Sequence, residues 1–149
     1  MTTITIEAIE AEHKKIGAMI AALKAQPAFP ITIPLSPVGE GEKFVGVIIS
    51  GDGSRRHSLI LLPGEIDSAS WKKANEWAAS IGGELPDRCE SALLFATMKD
   101  EFKPEWYWTR EQHVSDSDYA WFQVFNHGFQ GNLRKDGSYR ARAVRRLSI

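Results

Sequence analysis

The sequence contains a single cysteine, Cys89, so no disulfide can close within the chain and the fold must be held by its core alone. It also lacks an excess of either charge. Eighteen Lys and Arg against nineteen Asp and Glu leave a net charge of -1, without the broad positive field that non-specific binding to nucleic acid or to an anionic membrane requires. No apolar run approaches the roughly eighteen residues of a membrane span, so no membrane insertion is expected. The residues from Met1 to Glu12 are acidic and lack the basic-then-apolar order of a secretory signal. Synthesis in a cytoplasm is therefore the expected start.

Enzyme signatures are missing as well: there is no Gly-x-Ser-x-Gly elbow, phosphate loop, His-Glu-x-x-His or Cys-x-x-Cys. His13, His57, His113 and His127 fall on four different predicted elements, and Asp116 with Asp118 offers calcium far fewer oxygens than it prefers. No metal, no cofactor and no catalytic set is expected. Cys89 has no catalytic partner nearby and reads as a small, partly buried residue.

What the chain does have is tryptophan. All five fall between residues 71 and 121 of a 149-residue chain whose 43% apolar and 25% charged composition is that of one globular domain with a short appendage.

The appendage is residues 1–26. Ile6, His13 and Ile20 repeat every seven residues, and Ile9, Ile16 and Leu23 form the second seven-spaced set. Together they make the seam of a short coiled coil, a pattern that fits either packing on the chain's own domain or self-association. Isoleucine in both sets favours trimers or tetramers, and a homotrimer is the expected assembly. Residues 27–43, with Pro27, Pro30, Pro34 and Pro37, read as a stiff extended linker, or as an edge strand through Ile31, Ile33 and Leu35.

The remainder, residues 44–149, reads as an α+β domain. Phe44–Ile49 and His57–Leu62 flank a Gly-Asp-Gly turn and predict a hairpin. Ser68 or Ser70 caps a helix to about Ile81, with Trp71, Ala74, Ala78 and Ile81 on one face and Gly82-Gly83 as its stop. Asp87 and Glu90 form a capping box for a second helix reaching about Asp100, with Leu93, Leu94 and Met98 inward. Three strands follow, Trp106–Thr109, Tyr119–Phe125 and Tyr139–Leu147, separated by polar loops at 110–118 and 126–138. On the last strand Arg140, Arg142 and Arg146 share a face and Arg145 lies on the other, so the four do not form one basic patch. They read as salt-bridging side chains, and nucleic acid is not the expected partner.

The two polar loops supply the candidate ligand contacts: His113, Ser115, Asp116 and Asp118 in the first, His127, Phe129, Gln130, Asn132 and Arg134 in the second. Adaptable polar groups on a rigid scaffold are how binding modules are built.

The ordered series Trp71-x-x-Ala74-x-x-Trp77, Gly82-Gly83-x-Leu85-Pro86-x-x-x-Glu90, Trp106-Tyr107-Trp108-Thr109, Ala120-Trp121, Phe125-x-x-Gly128 and Tyr139-Arg140-Ala141-Arg142-Ala143-Val144-Arg145-Arg146 spans most of residues 44–147. It resembles the lectin-like C-terminal (Lcl C-terminal) domain family of bacterial and phage proteins. The resemblance implies a C-type-lectin-like fold and a non-enzymatic binding role in a phage or prophage product. The implied partner is a host protein or a cell-surface polysaccharide. An alternative use of the same fold is an intracellular accessory protein that binds and regulates a host protein. The calcium-ligating triplets of sugar-binding lectins, Glu-Pro-Asn and Trp-Asn-Asp, do not occur, so calcium-independent binding is expected. The tryptophans are expected to serve mainly as core.

Overall fold

In the computed structural model, residues 4–25 and 38–149 are described, and the chain divides into two compact units, Met1–Ile33 and Pro34–Ile149. The first unit holds helix α1 (Ile6–Ala25). Thr5 caps it, since its hydroxyl and carbonyl oxygens both accept from the Ala8 N–H. Every described residue of this helix is exposed, the seam residues included, with Ile6 at 74% and Leu23 at 65%. Of the expected linker, the part up to residue 37, including Ile31, Ile33 and Leu35, lies outside the described residues.

The second unit is mixed α+β. Strands β1 (Lys43–Ile49) and β2 (Arg56–Leu61) form the expected hairpin. Gly53 adopts φ 72° in its turn, and Asp52 accepts from the Ser54 N–H. Strand β3 (Ile66–Ala69) leads into α2 (Trp71–Ser80), and α3 (Arg88–Thr97) is followed by a short 3-10 turn, Lys99–Glu101. The remaining strands are β4 (Trp106–Gln112), β5 (Tyr119–Val124), β6 (Gln130–Arg134), β7 (Tyr139–Ala141) and β8 (Val144–Ser148). They build a three-stranded sheet in the order β1-β2-β8 and a five-stranded sheet in the order β3-β7-β4-β5-β6. The pairing of β4 with β7 is parallel and every other pairing is antiparallel.

Both helix starts follow their sequence signals. Ser70 accepts from the Lys73 N–H, and Asp87 and Glu90 make a complete reciprocal capping box. At the end of α2 the Gly83 N–H reaches the Ala78 carbonyl and the Gly82 N–H reaches Ala79, which together make a Schellman stop with Gly82 at φ 82°. Gly83 is needed for a second reason. A Cβ there would lie 2.5 Å from Leu62 Cδ1 and 2.8 Å from the Val144 carbonyl oxygen, because residue 84 bridges to Val144 of β8. The backbone contact cannot yield as a side chain can. Gly83→Ala is expected to cost about 1–3 kcal/mol, read as a lower urea midpoint at unchanged slope.

Four sequence expectations are corrected. The single last strand is two, broken at Arg142-Ala143 and shared between the two sheets, so alternation cannot be counted through it and the shared face of Arg140, Arg142 and Arg146 does not exist. The loop at 126–138 contains β6, which places Gln130, Asn132 and Arg134 on an edge strand. Ile81 is 40% exposed, since the helix has already stopped there, while Trp77 packs on the core instead. Cys89 is exposed, because it lies in the first turn of α3 on the side away from Glu90.

Two apolar clusters hold the unit. One gathers Ala74 and Ala78 of α2 with Trp108, Phe122, Ala120 and Ala141 of the larger sheet. The other gathers Leu94 of α3 with Val45, Leu59, Leu61, Tyr107 and Phe125. Alanines on α2 allow that helix to approach the sheet closely, and Trp108 fills the space between them. Beside the second cluster lies a buried ionic group. The Glu90 carboxylate, fully buried, accepts from Arg146 Nε at 2.6 Å and Arg146 Nη2 at 2.7 Å, and it lies 2.9 Å from His57 Nε2. It also accepts from the Asp87 N–H at 2.8 Å.

Candidate binding site

The stretches singled out from sequence meet at one end of β5 and part at the other. His113, Ser115, Asp116 and Asp118 precede the strand and His127 and Phe129 follow it, a separation of roughly 20 Å for a strand of this length. β6 then returns antiparallel, so that Arg134 pairs with Tyr119 and the Lys135 N–H donates to the Asp118 carbonyl at 2.8 Å. The first loop and Arg134 are thus neighbours, while His127 and Phe129 stand apart from them. In the first loop His113 stacks on Trp121 at 5.8 Å, Ser115 N–H donates to His113 Nδ1, and Asp116 accepts from the Asp118 N–H. Arg134 pairs with Asp136, and Asn132 is exposed on β6 opposite Trp121. Gln130 serves the structure, donating to the Arg88 carbonyl and to Gln123 and accepting from Arg88 Nε. Arg88 in turn lies 3.6 Å over the Trp121 ring, so that tryptophan face is covered.

A different surface emerges from the sheet. In an antiparallel pair directly opposed residues share a face, so the register Trp106↔Val124, Trp108↔Phe122 and Phe122↔Gly131 puts these side chains together. Tyr139 on β7 joins them. The Tyr139 and Trp106 rings stack at 5.6 Å and 26°, Trp106 and Phe122 at 5.0 Å and 15°, and Phe129 tilts against Phe122 at 6.2 Å. The result is a row of four rings running across the strands β7, β4 and β5 to the start of β6. Trp106 is 43% exposed and Phe129 58%, while Phe122 between them is buried at 4% and supports both from beneath. Glycines make room for the row. A Cβ at Gly131 would sit 2.9 Å from the Phe129 ring and 3.0 Å from the Phe122 ring, and one at Gly137 would sit 2.7 Å from the Tyr139 ring.

At the Tyr139 end the row opens into a cleft of about 310 Å³, lined by Trp106 and Tyr139 together with Asp67, Glu105, Ser138, Arg140 and Pro104. Arg140 organises it. Its Nε donates to Glu105 at 2.7 Å, its Nη1 donates to Glu65 at 2.7 Å, and it pairs with Asp67. The hydrogen bond from Arg140 holds the carboxyls of Asp67 and Glu105 below the usual carboxylate range, with Lys103 adding to the effect at both. Burial, and then the neighbouring Glu65 carboxylate, push the Tyr107 phenol up, so it stays a donor to Glu65 at 2.7 Å. The cleft therefore presents ring faces beside ionised oxygens whose positions are fixed but whose remaining lone pairs face solvent.

Three more arginines of the C-terminal stretch are engaged inside the fold. Arg142 donates to the Glu101 and Leu62 carbonyls, Arg145 pairs with Glu42, and Arg146 with Glu84 and Glu90. Among the described residues no three His, Cys, Asp or Glu side chains cluster as a metal site, and no helix is long and apolar enough to cross a membrane.

The tryptophans divide by role. Trp108 is fully buried, while Trp71 and Trp77 pack against the first cluster. Trp106 departs from the expected core role, with its exposed face forming the ledge. The alternation Trp106-Tyr107-Trp108 already puts two tryptophans on one face, but it does not tell which of them ends over solvent. That depends on β7 inserting beside β4 from far along the chain.

The chain matches no known protein-family model and no curated protein sequence.

Proposed function

We propose that residues 44–149 form a non-enzymatic binding domain of C-type-lectin-like type, and that its ligand is a neutral polysaccharide held on the Tyr139–Trp106–Phe122–Phe129 ledge. The exposed faces of Trp106 and Phe129, backed by the buried Phe122 ring and set beside carboxylates held by Arg140, carry this reading. A sugar ring has an apolar C–H face, which suits the electron-rich face of an aromatic ring, and a rim of hydroxyl donors, which suits ionised carboxylates. An anionic polymer would meet Glu105 and Asp67, side chains that already accept from Arg140. The cleft lies at the lower end of the volumes typical of small-ligand sites, so one or two sugar units would enter it while the ledge carried the rest.

The depressed carboxyls support binding rather than hydrolysis. A glycosidic acid needs a carboxyl that keeps its proton near neutral pH, and Asp67 and Glu105 are shifted the other way. The element order, a hairpin, two capped helices and a small sheet, is compatible with the lectin-like family that the sequence resembles. In that setting the host surface would be a bacterial one and the protein a phage or prophage product. Self-association through α1 would multiply weak contacts by avidity.

The test is a binding panel of neutral polysaccharides, acidic polysaccharides and basic peptides, read by the intrinsic fluorescence of the intact chain. Saturable quenching by a neutral polymer is expected. Response to basic peptides alone would replace this reading with recognition of a cationic protein segment.

A further inference from the structure

The cation that lines the cleft has already spent its donors. Arg140, whose side chain is 14% exposed, gives Nε to Glu105 at 2.7 Å and Nη2 to Glu105 at 3.4 Å, while Nη1 serves both Glu65 and Asp67. These bonds engage four of the five N–H groups of the guanidinium. What stays open is acceptor capacity, because an ionised carboxylate offers about four lone-pair sites and Glu105 gives two of them to Arg140. Among the three carboxylates Glu105 is the one held and yet accessible. Both of its oxygens accept from Arg140, which fixes the plane of the group, and its own carbonyl accepts from the Phe125 N–H at 3.0 Å. Its side chain is 54% exposed, it directly precedes Trp106, and both residues line the cleft. Glu65 is 18% exposed, with its oxygens taken by Arg140 and Tyr107, and Asp67 is 76% exposed and meets Arg140 through one oxygen.

We propose that Glu105 selects the sugar unit in the cleft by accepting hydrogen bonds from its free hydroxyls, and that Arg140 is the positioning residue that aims it. The inference rests on the polysaccharide reading of the ledge and narrows its class to a neutral glycan with unsubstituted hydroxyls, as against one carrying O-acyl or O-alkyl groups. A methyl ether keeps the apolar face that suits Trp106 but has no proton to give, so the carboxylate meets a lone pair instead of a donor. The carboxylate would then lose water without a replacement bond. Arg140 also keeps the group charged. Its hydrogen bond, with Lys103 assisting, outweighs desolvation and the Asp67 charge and holds the Glu105 carboxyl below its ordinary value of 4.5. The charged groups around Glu105 are Arg140 on β7, Asp67 on β3, Glu65 and Lys103, the last standing 3.8 Å from Glu65 and 3.7 Å from Asp67. Without the guanidinium, Glu105 faces two carboxylates and one lysine, so it takes up a proton at higher pH.

The test is calorimetric titration of the full chain with soluble glucan, mannan and galactan, each unmodified and O-methylated. A polymer that binds is expected to bind at least about tenfold more tightly in its unmodified form. In Glu105→Gln, Arg140 holds the amide carbonyl and the NH2 turns to the cleft as a donor, which an ether oxygen accepts as well as a hydroxyl does. The preference is therefore expected to disappear in that variant. Arg140→Gln is expected to lose affinity for the unmodified polymer between about pH 7 and about pH 5, where wild type stays constant. Glu105→Gln combined with Arg140→Gln is expected to be constant again, which a merely structural loss at Arg140 would not produce. Equal binding of both forms by wild type, or a preference retained in Glu105→Gln, would overturn selection by Glu105 and leave the polysaccharide reading in place. An Arg140→Gln profile as constant as that of wild type would overturn the positioning role. Absence of binding by every polymer in both forms would overturn the polysaccharide reading, and the selection with it.

Discussion

Replacing Glu90 with Ala is expected to cost about 3–5 kcal/mol of stability, the range for breaking a buried ion pair from one side. The carboxylate is fully buried and receives two hydrogen bonds from Arg146 and one from the Asp87 N–H, with His57 in contact. Removing it leaves the Asp87 N–H without its capping partner and leaves Arg146, whose side chain is 18% exposed, with Glu84 and the Leu85 carbonyl alone. Three elements lose their junction at once, since His57 lies on β2, Arg146 on β8 and Glu90 on α3. Urea unfolding at pH 7 measures the effect. Glu90→Gln keeps the shape and one acceptor, so it is expected to fall between wild type and Ala.

The same group gives stability a pH dependence. Burial alone would raise the Glu90 carboxyl, but the Arg146 guanidinium, the Asp87 N–H and His57 more than offset it and hold it below its ordinary value of 4.5. Between the depressed folded value and 4.5 the unfolded chain binds more protons than the folded one. Stability from this group is thus fully present above 4.5 and is lost as pH falls through the folded value. Wild-type unfolding free energy should decline below about pH 4.5, and Glu90→Gln should decline less steeply.

The second large effect is at Trp108. This ring is fully buried in the first cluster, meets Tyr139 edge-on at 5.1 Å, and donates its Nε1–H to the Ala69 carbonyl at 2.9 Å. Ala69 ends β3 immediately before the Ser70 cap of α2, so the indole ties the start of that helix to the sheet. Trp108→Ala leaves a large cavity lined by alanines that cannot collapse into it, and it orphans a buried carbonyl. About 3–5 kcal/mol for the cavity and about 1–3 for the carbonyl are expected, a large share of the 5–15 kcal/mol typical of a domain. Thermal unfolding by circular dichroism should show a chain that is unfolded or nearly so at 37 °C (roughly the upper end of what such losses permit). Trp106→Ala, on a half-exposed ring, is expected to leave the melting temperature within a few degrees.

The contrast between these two residues marks what was legible in the sequence. Local signals carry their own causes: Ser70 and the Asp87–Glu90 box start their helices, Gly82-Gly83 stops α2, and the Gly-Asp-Gly turn makes the first hairpin. Each acts over three to six residues, so sequence neighbours contain the whole cause. What escaped was non-local. The run Tyr139–Leu147 alternates as far as Ala143 and then slips phase at Ala143-Val144, beside the point where two separate sheets impose the break and the Arg142 guanidinium reaches the Glu101 and Leu62 carbonyls. β3 and β7, of four and three residues, are too short to carry a pattern and exist because they pair with each other. The ledge is illegible in the sequence for the same reason. Its rings come from residues 106, 122, 129 and 139, and only the strand order sets them side by side. Polarity makes the stretches at 110–118 and 126–138 look alike, although β5 separates His127 and Phe129 from the first loop while β6 returns Arg134 to its side.

Arg140 bears out the salt-bridging expectation for the arginine run, although its partners are not legible in the sequence. In the fold it is the hub of three carboxylates drawn from Glu65, Asp67 and Glu105, and its role is to fix their geometry beside the rings.

The ledge is tested most directly by titrating the intact chain, its Trp106→Ala variant and an Asp116→Ala, Asp118→Ala variant with the neutral polysaccharide that quenches wild-type fluorescence, using calorimetry as the readout. Trp106→Ala should lose at least about tenfold in affinity at an unchanged melting temperature, as expected for one central aromatic anchor, while the loop variant should bind as wild type does. Equal affinity for Trp106→Ala, or loss confined to the loop variant, would contradict the account.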